Sequence, residues 1–356
     1  MTSLVDSPQM QAPAGDRQAR ARGVLALLAA LLAVISVTSL ATGASGTSLW
    51  QALFALARGE AISLRDHVIL FDIRLPRLTM GLLVGAALAV SGAVMQGLFR
   101  NPLADPGLVG VGAGAGLGAI CAIVLGAALP AGLWLGTGLV PLAAFIGGWV
   151  TTLMLYHVST KGGRTSVAVM LLAGIALGAL AGALSGVLVY MADDQQLRDL
   201  TFWGLGSLAG ATWGKVLLAA PLIAAGLATA PFLAHALNGL ALGEAAAKHL
   251  GIPVQRMKSI AILSVASAVG ASVAMTGAIG FVGIVVPHLL RLAIGPDHRF
   301  LLPAAGLLGA SLLVGADIIS RVIVAPAELP IGIITAMIGG PFFLWILLRN
   351  RSMLDL

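Results

Sequence analysis

Cysteine occurs once in 356 residues, at Cys121, so neither an intrachain disulfide nor a cysteine-rich metal site can form. Charge is scarce as well: Asp, Glu, Lys and Arg make up 10% of the chain, against roughly 25% in a soluble domain. Lys and Arg number 20 against 14 Asp and Glu, for a formal charge of +6 and a pI near 10.2. These cations are scattered along apolar sequence and build no basic face, which excludes nucleic acid as a partner. A phosphate-binding loop is missing, because Gly214-Lys215 is followed by Val216 and Ala209 stands where the first glycine of that motif belongs. Any ATP hydrolysis therefore belongs to another chain. The six histidines, His67, His157, His235, His249, His288 and His298, include no pair at the four-residue spacing of a helical metal site. They read as polar residues near helix ends, none of them in the middle of a span. No two side chains of catalytic type fall at one membrane depth, so an intramembrane enzyme lacks its machinery.

What is present is apolar. Hydrophobic residues are 59% of the chain and mean hydropathy is +1.01, the composition of an all-α polytopic membrane protein. Residues 1–22 are polar and carry Arg17, Arg20 and Arg22; they read as a disordered cytoplasmic tail. The run Gly23–Leu40 exceeds the roughly 7–15 residues of a secretory h-region and is long enough to span, which favours a retained helix over a signal peptide. Further spans are expected at 78–99, 107–128, 137–158, 166–190, 213–235, 256–278, 281–294, 301–322 and 331–349, about ten crossings in one transmembrane domain over 23–350. Residues 351–356 form a short C-terminal tail. The segment 281–294 rises only about 21 Å, too little for a hydrocarbon core of roughly 30 Å, and needs burial among neighbours.

An even number of crossings puts both termini on one side. Thirteen of the 20 Lys and Arg fall on that side and seven on the other, which makes the termini cytoplasmic. The outer seven, Arg58, Arg65, Arg74, Arg77, Arg198, Lys215 and Arg321, are disfavoured by the same rule and call for an external partner. Gly110, Gly112, Gly114, Gly116 and Gly118 form small-xxx-small pairs suited to close helix packing.

Three stretches carry more than span information. Asp317 and Arg321 are four residues apart and share a helix face, as structural glue or as part of a conducting route. Between the sixth and seventh spans, 237–251 is Ala-rich with glycines at both ends. Its small residues and modest charge suit one or two short helices seated in a protein groove more than a Lys-rich membrane anchor. Ile73-Arg74-Leu75-Pro76-Arg77 sets two arginines just before a helix on the opposite side, where a plain interfacial anchor is the alternative.

Together with Val84–Gln96, Arg100–Gly107, Gly280–His288 with Arg291, Glu328–Gly332 and Gly340–Phe343, these stretches resemble, from about Arg74 to Leu348, the permease subunits of type II ABC importers for iron siderophores, haem and vitamin B12. The resemblance implies ten helices per subunit in a bacterial inner membrane and a pathway formed with a second copy of the chain. It also implies two cytoplasmic ATPase subunits that carry ATP-Mg, a periplasmic substrate-binding protein, and no cofactor or metal on this chain. By the same resemblance Arg74, Arg77 and Arg321 dock the binding protein. The loop at about 237–252 transmits ATPase closure through Leu242, Gly243, Glu244, Ala247, Leu250 and Gly251. Asp194–Trp203 with Gly206-Ser207-Leu208, and Gly97–Arg100, look more like haem permeases than siderophore permeases, giving the order haem, ferric siderophore, cobalamin. A self-sufficient, ion-coupled secondary transporter is the reading from another class, and it would need an ionisable residue or broken helix at mid-membrane. Asp317 is the one acid near such a place.

Overall fold

The computed structural model describes residues 14–43, 47–126 and 138–349. The chain opens with α1 (Ala14–Ala41), α2 (Leu49–Ala57) and α3 (Leu64–His67), whose first turn is capped by the Ser63 hydroxyl accepting from the Asp66 amide. A π-helical segment, Val68–Arg74, runs directly into α4 (Leu75–Phe99). After a 3-10 turn at Pro106–Val109 come α5 (Val111–Leu125) and α6 (Leu139–Ser159), then a hairpin of two-residue strands, β1 (Thr160–Lys161) and β2 (Arg164–Thr165). There follow α7 (Val167–Met191), α8 (Asp194–Leu205), α9 (Trp213–Ala228), α10 (Ala230–Ala241), α11 (Glu244–His249), α12 (Val254–Thr276), α13 (Val282–Ile294), α14 (His298–Val322) and α15 (Ile331–Arg349).

Among the described residues six helices are long and apolar enough to cross a membrane, and the pair α9 and α10, bent by 41°, supplies a seventh. The shorter apolar helices in α5, α13 and α15 complete about ten membrane segments. Lipid does not satisfy backbone groups, so short or broken segments need protein around them. α13 meets that need: Val282, Val285, Val286 and Leu290 are buried against its neighbours.

α4 is the hub. Most of its residues are buried, and it packs on α12, α13, α9 and most extensively on α14. The close approach comes from glycine: a Cβ on Gly85 would meet the Gly309 carbonyl of α14, and one on Gly92 would meet the Gly283 carbonyl of α13. Small residues thus replace the hydrophobic drive that lipid removes. Within the expected glycine stripe, Gly114 and Gly118 press on α6 at Gly147 and Ala143, whereas Gly112 and Gly116 have open space around their Cβ positions. One face of the stripe packs and the other does not.

The structure departs from the sequence expectations in several places. α1 begins at Ala14, so residues 14–22 are helical where a disordered tail was expected; the rest of that tail, and the C-terminal tail 351–356, lie outside the described residues. The expected span 107–128 is split into the 3-10 turn and α5. Residues 237–241, expected in the cytoplasmic loop, are the last turn of α10. His288 is expected near a helix end but sits in the middle of α13, its ring edge-on to Phe342 at 6.0 Å.

Candidate functional site

Two polar assemblies mark opposite ends of the bundle. At the end where α4 begins, the π-helical segment and Pro76 at the start of α4 place Arg74 and Arg77 against α14 and the end of α1. Arg77 donates through Nε to Asp317 at 2.9 Å and through Nη1 to Glu328 at 2.9 Å, and its Nη2 pairs with Asp317 at 2.9 Å. Asp317 also pairs with Arg321 Nε at 3.1 Å, one turn further along α14. Arg321 reaches α1 as well, donating to the Ser39 hydroxyl at 2.9 Å and the Thr42 carbonyl at 3.0 Å. Arg74 donates to the Leu40 carbonyl at 2.6 Å and the Thr47 carbonyl at 3.4 Å.

The three arginines chosen from sequence therefore come together, but Arg74, Arg77 and Arg321 are only 5%, 7% and 8% exposed. They hold α1, α4 and α14 together, and burial forces each to find a partner. Glu328, with its side chain 38% exposed, is the member nearest solvent, and the sequence reading did not assign it a role. Its place beyond the end of α14 offered no periodicity to read.

At the opposite end, α11 is the short helix expected in 237–252. Gly243 precedes it with φ of 103° and Gly251 follows with φ of 78°, conformations that glycine adopts without penalty. Ala247 is fully buried, while Leu242 and Leu250 are 70% and 61% exposed, so the element rests on the bundle by its small residue and offers a leucine at each end. Glu244 pairs with the Lys258 ammonium of α12 at 2.5 Å. Lys258 is 2% exposed and also donates to the Thr165 carbonyl of β2 at 2.9 Å. Gln255 Oε1 accepts from the Thr165 amide at 2.8 Å. One face of α12 therefore ties both α11 and the hairpin into a single unit.

Beside this unit lies a polar lock that sequence reasoning did not find. Gln96 of α4 donates to the Gly283 carbonyl at 3.2 Å and accepts from Arg291 of α13. Asn238 donates to Asp297 at 2.7 Å and accepts from the His298 amide at 2.9 Å, joining α10 to α14. Hydrogen bonds from Arg299 chiefly hold the Asp297 carboxyl down at about 2. Burial pushes the Asp105 carboxyl up, against the Gly107 amide that it accepts at 2.7 Å. Among the described residues no group of three or more His, Cys, Asp or Glu stands where it could hold a metal ion.

Residues 28–349 match the FecCD transport family. The chain belongs to that family. Among its relatives are the hemin transport system permease protein HmuU of Yersinia pestis, 49% identical over 281 residues that cover 79% of this chain and 83% of that protein. The vitamin B12 import system permease protein BtuC of Klebsiella pneumoniae is 44% identical over 294 residues, covering 83% of this chain and 86% of its own length. A solved structure described as an inward-facing metal-chelate type ABC transporter superposes with a TM-score of 0.80 at 32% identity, covering 94% of this chain and all of the other. PsaBC from Streptococcus pneumoniae shares the fold alone, with a TM-score of 0.56 at 17% identity over 80% of this chain and 94% of that one. The protein is accordingly a type II ABC importer permease, built of membrane-spanning helices.

Proposed function

We propose that the chain is the membrane half of an ATP-driven haem importer in a bacterial inner membrane, working as a homodimer with both termini cytoplasmic. The observation that carries the cargo is the 49% identity to a hemin permease. The vitamin B12 permeases, at 44%, support cobalamin as the second reading. Two ATPase subunits carrying ATP-Mg would bind at the α11 end through Leu242, Gly243, Glu244, Ala247, Leu250 and Gly251, where two exposed leucines offer apolar anchors. A periplasmic binding protein would dock at the arginine end. Three guanidiniums face two carboxylates there, and the positive surplus suits an acidic partner.

Chemically, the chain need only bind and release. ATP hydrolysis is left to the partner subunits. Ion-coupled transport would ask Asp317 to take up and release a proton or cation. Arg77 and Arg321 already occupy that carboxylate as ion-pair partners, which ties it into the fold instead of presenting it to a coupling ion.

The test is copurification followed by reconstitution with the ATPase and binding protein recovered. ATP-dependent haem uptake, without competition from cobalamin or a hydroxamate chelate, is the expected result. Uptake of cobalamin in preference to haem would replace the cargo, and uptake without any ATPase would remove the importer reading.

A further inference from the structure

At the arginine end of the bundle, α6, α9 and α12 leave a groove of about 570 Å³ between them, within the roughly 300–1,000 Å³ of small-molecule sites. Its walls are apolar, with Leu142 and Phe145 from α6, Leu218 and Leu222 from α9, and Met275 from α12. One cation stands at its lip. Lys215, in the first turn of α9, lines the groove and donates to the Gly210 carbonyl at 2.8 Å. Among the described residues no carboxylate pairs with it, in contrast to Arg77, Arg321, Lys258 and Arg299, each of which has an acidic partner. An ammonium has three donors, and the carbonyl uses one.

A second groove, of about 490 Å³, lies between α4, the α9 and α10 pair, and α14. It too has a cation at its edge, Arg299, but Asp297 neutralises that guanidinium in a pair at 2.7 Å. The two grooves therefore match in size and apolar character and differ in net charge. From Lys215 to Leu222 the first groove follows α9 for about 10 Å at 1.5 Å per residue. A cation at the end of a membrane helix, above an apolar slot that runs into the bilayer, complements a molecule with an anionic head and a hydrocarbon tail. Partly desolvated charge is tolerated beside lipid when it finds an opposite charge.

We propose that this groove binds an anionic phospholipid, with its phosphate on the Lys215 ammonium and one acyl chain between α6, α9 and α12. The Thr212 hydroxyl, which accepts from the Lys215 amide at the start of α9, stands at the same level and can donate to a phosphate oxygen. The Arg299 groove, having no surplus charge, takes lipid without regard to headgroup.

Native mass spectrometry of the delipidated full chain in neutral detergent tests this, because bound lipid and oligomeric mass are read together. The probes are phosphatidylglycerol and phosphatidylcholine with identical acyl chains. The wild type should prefer phosphatidylglycerol by roughly tenfold in apparent Kd. Lys215→Gln should bring that preference to within about twofold, Lys215→Arg should keep it, and Arg299→Gln combined with Asp297→Asn, which removes both charges of the other groove, should leave it unchanged, all in protein that remains monodisperse. Leu218→Trp, which fills the slot, should weaken binding of both lipids. Equal binding of the two lipids by the wild type overturns the proposal, as does a preference that survives Lys215→Gln. If Leu218→Trp changes the oligomeric mass and leaves lipid uptake intact, a second copy covers the groove and the lipid site is excluded.

Discussion

A carboxylate buried between two arginines behaves differently from the same carboxylate in water. Asp317 is 2% exposed and takes Arg77 and Arg321 together; removing one member leaves the others charged in a low dielectric, at a cost of about 3–5 kcal/mol. Asp317→Asn and Arg77→Met should each destabilise the solubilised protein by that order, and the double variant by clearly less than their sum. Additive losses in thermal or denaturant unfolding would show that the pair makes no coupled contribution. Glu328 gives a milder probe of the same cluster, since Arg77 keeps Asp317 when it is neutralised. Glu328→Gln raises the positive surplus, so an acidic binding protein should associate several-fold faster at low salt, with the difference vanishing at high salt. Identical rates at both salt concentrations would take the cluster out of docking. Asp297 supplies a pH dependence. Its carboxyl is held at about 2 in the fold, below the ordinary value of 3.8, so its contribution is complete above about 3.8 and is lost as pH falls towards about 2. Asp297→Asn should flatten the stability profile in that window, measured by unfolding at fixed ionic strength.

Elements were legible to different degrees, and the reason is periodicity. Long apolar runs such as α4, α7, α12 and α14 announce themselves, and the short 281–294 segment was recognisable as one that needs protein around it. What joins elements was not legible. The pairing of Arg77 with Asp317 spans 240 positions, and Lys258 with Thr165 spans 93; no local spacing encodes either. Asp317 with Arg321 was visible because a helix brings residues four apart onto one face. α11 was found because glycines bracket an Ala-rich piece, yet its attachment to α12 through a buried lysine was not. That attachment sharpens what a test of α11 must separate. Glu244→Lys breaks the pair with Lys258, and the exchange Glu244→Lys with Lys258→Glu restores opposite charges in reversed order. If Glu244 serves only the fold, the exchange recovers both stability and transport. If its charge also faces an ATPase, the exchange recovers stability while transport stays uncoupled from ATP hydrolysis. Ala247→Pro, which removes the hydrogen bond from its amide to the Gly243 carbonyl at 3.0 Å, should uncouple in the same way. Normal coupling in both variants would deny α11 its role in transmission.

For the whole molecule, the decisive property is which end faces the cytoplasm, because it fixes where each partner can bind. The charge bias of thirteen Lys and Arg against seven points to a cytoplasmic α11 end. A cytoplasmic α11 end would put Arg74, Arg77 and Arg321 on the disfavoured side, and there their burial in internal contacts would keep them from acting as free charges flanking a span. Removing them from the count strengthens the bias rather than weakening it. Single cysteines in a Cys121→Ala background test the result directly. Lys161→Cys, at the exposed hairpin beside α12, should react with a membrane-impermeant maleimide only after the membrane is opened. Leu64→Cys, 82% exposed before α4, should react in intact cells. The two positions lie at opposite ends of the bundle, so the reverse pattern would invert the molecule, moving the arginine cluster to the ATPase side and α11 to the side of the binding protein. Reaction at both positions in intact cells would instead mean that the protein inserts in two orientations, against the single orientation that the charge bias predicts.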